Sequence, residues 1–183
     1  MAERRPKIRI LLIATNRHKR LMSRMDARPV PIGLAYVAGH LDLDRHELKV
    51  LDLMFSEDYL ADTEAMVREF RPDLVGISLR NLDNNSYMDP QWALPVTKEV
   101  IDRIRETTKI PIVCGGPAFS LHPQECYDYL KPDVGVAGDG GEAFAQLADS
   151  LEIGEAYHRL PGMVYKGSDG SVVVNGQAYS SFS

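Results

Sequence analysis

The chain has 183 residues, a formal net charge of −5 from 21 Lys+Arg against 26 Asp+Glu, 44% hydrophobic residues and 26% charged ones. At about 150 residues per domain this is one globular domain with a short addition, large enough to bury a core without disulfides or metal. The balanced composition excludes disorder, collagen and coiled coil, and the acidic excess argues against non-specific nucleic-acid binding, which needs a basic surface.

The basic stretch Arg4, Arg5, Lys7, Arg9, Arg17, Lys19 and Arg20 reads as a solvated tail and loop. Ile10 to Ala14, the longest apolar run near the N-terminus, is too short for a signal sequence or for a membrane span of about 20 residues. A cytoplasmic protein with no membrane partner is expected. The two cysteines, Cys114 and Cys126, make no disulfide framework or zinc site and are too few for a 4Fe–4S cluster.

Apolar runs of strand length alternate with segments of helical period. Ile8 to Ala14 reads as a buried strand, followed by a polar loop from Thr15 to Pro31. Leu34, Val37, Ala38 and Leu41 share one helical face over 32–42. Val50 to Leu53 is a short second strand, and Leu60, Val67 and Phe70 mark a helix through 58–70. Pro72-Asp73 breaks that helix and opens a third strand, Leu74 to Ser78. Beyond a polar loop from Leu79 to Gln91, the residues Val96, Val100, Ile101 and Ile104 give the next helix. Pro111 to Cys114 is a fourth strand ending in Gly115-Gly116-Pro117, and His122 to Leu130 is a short helix. Val134 to Ala137 is a fifth strand ending in Gly138-Asp139-Gly140-Gly141. Phe144, Leu147, Ala148 and Leu151 carry a last helix. Gly162 to Tyr165 and Ser171 to Val174 flank a Gly-rich loop as a β-hairpin. No internal repeat stands out.

This pattern predicts an α/β fold, a flavodoxin-like (Rossmann-type) doubly wound five-stranded parallel sheet of order 2-1-3-4-5 with a C-terminal β-hairpin. It divides the chain into an α/β domain, 1–159, and a hairpin and tail, 160–183, that lead out of it. A ligand is expected outside the carboxyl ends of the strands, near the switch between the first and third.

The loops at that edge are specialised. The loop from Thr15 to Pro31 far exceeds the roughly two to six residues usual for such a connection. It has no glycine at its start, so the dinucleotide fingerprint is absent, and the phosphate loop G-x-x-x-x-G-K-[ST] is absent from the whole chain. Ser78 to Ser86 is amide-rich, and Asn side chains can both donate and accept. Gly115-Gly116 allows close approach of a ligand, and Gly138 to Glu142 opens a helix whose free amides attract acceptors. Trp92 and Tyr36 read as core or pocket wall, and Cys126 as a buried small hydrophobe.

Taken in order, these segments resemble the N-terminal cobalamin-binding domain of cobalamin-dependent radical SAM enzymes. The resemblance rests on Pro29 to Ala38, His46 to Asp52, Pro72 to Asn81, Val113 to Pro117 and Gly138 to Phe144, with Leu160-Pro161-Gly162 leading into the hairpin. It implies cobalamin held base-off, its corrin over the carboxyl edge and its nucleotide tail running down into the domain. Ser78 would lie near the buried base, Gly115 and Gly116 would make room for the tail, and Gly138 to Glu142 would flank its far end. The cofactor contacts so implied are Asn16, Arg17, Pro31, Gly33, Ser78, Leu79, Arg80, Asn81, Gly115, Gly116, Pro117, Gly138, Asp139, Gly140, Gly141 and Glu142.

Methyltransferases and mutases of the wider cobalamin-binding group place D-x-H-x-x-G after the first strand, and its histidine binds cobalt. Here the stretch reads Asn16-Arg17-His18-Lys19-Arg20-Leu21, with the histidine but neither the Asp nor the Gly. A ligating imidazole is normally held by a carboxylate, and Asn16 is a poorer partner. The expectation is therefore that His18 does not ligate cobalt and that no protein group does.

The C-x-x-x-C-x-x-C motif of the family's radical SAM domain is missing. The resemblance thus implies that this chain alone is not catalytic. It would work with a radical SAM domain, in cis or in trans, that carries S-adenosylmethionine and a 4Fe–4S cluster, and it is expected to be a piece of a longer enzyme. The alternatives are a stand-alone flavin- or nucleotide-binding protein on the same fold, and a regulatory interaction domain.

Overall fold

The computed structural model describes residues 7–15, 30–83, 87–88, 90, 92–153 and 156–176. The first half of the sheet comes from β1 (Ile8–Ala14), β2 (His46–Asp52) and β3 (Leu74–Ser78), separated by α1 (Ile32–Gly39) and α2 (Tyr59–Phe70). The second half comes from β4 (Ile112–Gly115) and β5 (Val134–Val136), reached through α3 (Leu94–Thr107), α4 (Pro117–Leu121) and α5 (Pro123–Leu130). Then follow α6 (Gly140–Ile153), β6 (Met163–Lys166) and β7 (Val172–Val174).

The sheet has the order β2-β1-β3-β4-β5-β6-β7. The first five strands are parallel in the expected 2-1-3-4-5 arrangement. The hairpin continues the same sheet: β6 runs antiparallel to β5, with Gly135 opposite Val164 and Val136 opposite Met163, and β7 pairs with β6.

Each strand's residues explain its place. β1 is central in a parallel sheet and covered on both faces, so Ile10 to Ala14 are all buried and the run is apolar throughout. β2 is an edge strand with a half-wet face. It extends back to His46, beyond the expected Val50 to Leu53, because its apolar residues alternate with Glu47 and Lys49 instead of forming a run. On one face, Leu34 of α1 and Phe144, Leu147 and Ala148 of α6 pack on Ile10, Leu12, Val113 and Val134. On the other, Val67 and Phe70 of α2, Val100, Ile101 and Ile104 of α3, and Leu130 of α5 pack on Leu11, Ile13, Val75, Ile77 and Cys114.

One device stops a helix and starts a strand at two places. α2 ends on Arg71 and α5 on Lys131, both in the left-handed region (φ 47° and 53°), and their amides bond back to Val67 O and Tyr127 O. Pro-Asp follows each time. Asp73 Oδ2 accepts from Arg9 N at 2.9 Å, and Asp133 Oδ2 accepts from Ile112 N at 2.8 Å, so each carboxylate pins the incoming strand to its neighbour. This internal likeness escapes a search for long repeats. A left-handed conformation costs an L-residue about 1–2 kcal/mol, part of which glycine would return as backbone entropy. Lys131→Gly is accordingly expected to leave stability unchanged or raise it by up to about 1 kcal/mol, as urea denaturation would show; a loss of that size would mean that the lysine side chain matters.

The segment after β4 differs from expectation in having two helices, α4 and α5, meeting at His122. Five residues are too few to display a helical period, and Pro117 at the first turn of α4 is the only local sign of it.

Candidate functional site

Strand register places small residues together at the carboxyl edge. Gly76 is paired with Leu12 on one side and Val113 on the other, and one step nearer the edge Ser78 stands between Ala14 and Gly115. Paired residues share a face, so Gly76, Ser78 and Gly115 thin out the side chains on the face that α1 and α6 cover. Gly76 lets Leu12 and Phe144 close over the strand: a Cβ there would stand 2.7 Å from Leu12 Cδ2 and 2.9 Å from the Phe144 ring. Above this floor is a cavity of about 370 Å³, walled by Leu34 and Val37 of α1, Val113 of β4 and Val136 of β5. That is within the range of roughly 300–1,000 Å³ typical of small-molecule sites.

Two glycine turns shape the rim. Gly116 and Gly138 have φ of 101° and 100°, a region that side-chain-bearing residues avoid. The Ser120 hydroxyl staples them together, donating to Gly116 O at 2.9 Å and accepting from Gly138 N at 2.9 Å. At Gly116 the need for glycine lies within the chain itself, since an added Cβ would sit 2.6 Å from Leu79 O. The opposite side of the rim is tied by Tyr36, whose hydroxyl donates to Asp139 Oδ2 at 3.2 Å while Asp139 Oδ1 accepts from Gly141 N at 3.0 Å. Gly141 is where α1 presses on α6: a Cβ would lie 2.6 Å from Tyr36 Cε1 and 2.8 Å from the His40 ring.

Of the residues singled out from the sequence, Gly33, Ser78, Gly115, Gly116, Pro117, Gly138, Asp139 and Gly140 line this cavity. The other described ones do not line it. The Leu79 side chain is buried in the core of the opposite face, and its amide and carbonyl bond to Gly115 O and Ala118 N, so it holds the Gly116 turn from behind. Gly141 is buried beneath Tyr36, Pro31 is half-buried just ahead of α1, and Arg80, Asn81 and Glu142 are exposed. Asn16, Arg17 and His18 fall outside the described residues. Tyr36 is a wall residue, as expected, whereas Trp92 is 62% exposed and is neither core nor wall. Leu34, Val37 and Phe144, which the sequence marked only as helix-face residues, also line the cavity, as does Ser120, which drew no attention there.

Among the described residues, the lining contains one carboxylate, Asp139, and no Lys, Arg or His. Cys114 and Cys126 are buried, and burial pushes both thiols up, so they stay protonated and inert. The arrangement suits a neutral, flat, largely apolar group, with hydrogen-bonding side chains at the rim and Ser78 at the end of β3 among the described residues. The dimethylbenzimidazole base of cobalamin is such a group. No described helix is long and apolar enough to cross a membrane.

The family model of the B12 binding domain matches residues 21–148. A tryptophan 2-C-methyltransferase from Streptomyces laurentii is 32% identical over 145 residues, which is 78% of this chain and 24% of that protein. The structure of TsrM, a radical S-adenosylmethionine methyltransferase from Kitasatospora setae with cobalamin and a 4Fe–4S cluster bound, superposes with a TM-score of 0.81 at 26% identity, over 97% of this chain and 30% of that one. The cobalamin-dependent S-adenosylmethionine radical enzyme OxsB shares the fold, with a TM-score of 0.73 at 12% identity over 95% of this chain and 23% of that one. The chain therefore spans about a quarter to a third of the length of these relatives. The matched stretch includes every residue of the cavity lining except Leu12, so the chain belongs to the B12-binding domain family and its cofactor is cobalamin.

Proposed function

We propose that the chain holds cobalamin base-off, its nucleotide tail in the cavity under α1, with no protein ligand on cobalt. The observation that carries this is the cavity itself: it has apolar walls, lies at the carboxyl ends of the strands where a corrin would sit, and has no imidazole among the described residues that line it. Ser78 would donate to the ring nitrogen of the withdrawn base. Gly33, Gly115, Gly116, Pro117, Gly138, Asp139 and Gly140 would pass the tail between them, with Pro31, Leu79, Gly141 and Glu142 supporting that path and Arg80 and Asn81 reaching the corrin. Asn16 and Arg17, outside the described residues, are proposed as further cofactor contacts. Bound cobalamin supplies the methyl-transfer chemistry, and the chain's part is to bind it, orient it and keep water from its tail.

On this reading the chain serves a methyltransferase, together with a radical SAM domain in cis or in trans that binds S-adenosylmethionine and a 4Fe–4S cluster. Its relatives' names support that pairing. We place it in the cytoplasm, where its two free thiols stay reduced. Residues 1–159 would carry the cofactor site and 160–183 lead on from it, with the hairpin continuing the same sheet; no residue of β6 or β7 lines the cavity.

Mixing the chain with hydroxocobalamin is expected to give a base-off absorption spectrum and a stoichiometric complex that survives desalting. Failure to retain cobalamin overturns the proposal. His18→Ala is expected to leave that spectrum unchanged, and a shift of the cobalt bands would instead make His18 a ligand.

A further inference from the structure

The polar groups around the cavity are unevenly available. Ser120 already donates to Gly116 O and accepts from Gly138 N. Tyr36 and Asp139 bond to each other, and the second Asp139 oxygen holds Gly141 N. β3 lies between β1 and β4, so the backbone of Gly76 is committed to the ladder. Below the rim, Leu12, Leu34, Val113 and Phe144 present carbon only. Among the described side chains of the lining, what remains for a buried heterocycle is one hydroxyl, that of Ser78, at the end of β3.

We infer that this cavity selects corrinoids by the base of their tail, taking a benzimidazole in preference to a purine. The inference rests on the tail lying in the cavity, as proposed above. A dimethylbenzimidazole has one ring nitrogen left over once it is joined to its sugar, and otherwise shows carbon and two methyl groups. One hydroxyl satisfies it, and apolar walls suit the rest. An adenine in the same place would bring an exocyclic amine and further ring nitrogens against Leu12, Leu34, Val113 and Phe144, whose side chains offer no partner. Unpaired buried polar groups are costly, and an apolar pocket discriminates against an added polar group by roughly ten- to a hundredfold.

The test is a calorimetric titration of the chain with three methyl-corrinoids: cobalamin, its adenine-tailed counterpart, and cobinamide, which has no nucleotide tail. Each affinity is corrected for the cost of detaching the base from cobalt, measured by acid titration of the free corrinoid. Cobalamin is expected to bind tightest, with the adenine-tailed form roughly ten- to a hundredfold weaker. If the two tailed corrinoids bind alike and both exceed cobinamide, base selectivity is overturned while the tail's place in the cavity survives. If cobinamide binds as tightly as cobalamin, the tail is not in the cavity, and the reading beneath fails. Val113→Thr adds a hydroxyl to the wall with almost no change of shape and is expected to narrow the gap between the two tailed forms. An unchanged gap in a variant whose melting curve shows it folded would overturn the role given to the wall.

Discussion

Val136→Phe is expected to abolish cobalamin retention while leaving the unliganded fold as stable as the parent or more so. Val136 ends β5, is 3% exposed, and lines the cavity beside Gly115. Enlarging a side chain in a filled core costs about 1–3 kcal/mol because neighbours must move. Here the added ring enters a cavity of about 370 Å³, and filling such a space commonly stabilises by about 0.5–2 kcal/mol. The same ring takes the place required by the tail. The paired measurement is the melting temperature of the free chain and the cobalamin left after desalting. A raised or equal melting temperature with no cobalamin is the expected result, and full retention would show that the tail lies elsewhere. Gly116→Val, the more obvious block, cannot separate these outcomes. At φ 101°, with Leu79 O 2.6 Å from any Cβ, it breaks the turn whether or not a ligand exists.

The contrast between those two positions shows what a sequence can convey about such a site. The glycine turns after β4 and β5 are legible because the demand is local: a positive φ or a close approach leaves a glycine at the strand's end. The strand order is legible for a related reason. Strands buried on both faces read as apolar runs, as Ile10 to Ala14 and Leu74 to Ile77 do, and the helices between them require parallel crossovers. The apolar walls are not legible. Leu34, Val37 and Phe144 sit at positions that would look the same in a solid core, and what makes them walls is the small residue opposite. Gly76, Ser78 and Gly115 act together only because pairing brings them to one face at adjacent steps, and register across strands is not written in any one of them. Ser120 illustrates the same limit. Its bond to Gly116 O follows a local spacing, but its second partner, Gly138, is reached only through the packing of α4 on β5. The length of β2 and the exposure of Trp92 depend likewise on being at an edge, which is a property of the whole sheet.

Gly135→Ala is expected to destabilise the fold by about 1–3 kcal/mol and to weaken cobalamin binding from outside the cavity. Gly135 is the middle residue of β5, paired with Cys114 and Val164 on the face away from α1. The space where its side chain would stand is occupied: a Cβ would meet Phe119 Cε1 at 2.7 Å and Val164 Cβ at 2.9 Å. Phe119 is fully buried, so the ring cannot swing into solvent to make way. It is also the residue before Ser120 on the short helix α4. A backbone shift of α4 that relieves the ring would move the hydroxyl that holds the Gly116 and Gly138 turns together. Phe119→Ala alone is expected to cost about 3–5 kcal/mol as a large-to-small change in the core. In the double variant the new methyl group of residue 135 enters the space the ring has left, so the two losses should fall short of their sum by at least about 0.5 kcal/mol. Urea denaturation with an unchanged slope would measure this. Strict additivity would mean that the ring does not rest on Gly135, and would break the path from β5 through α4 to the rim of the cobalamin site.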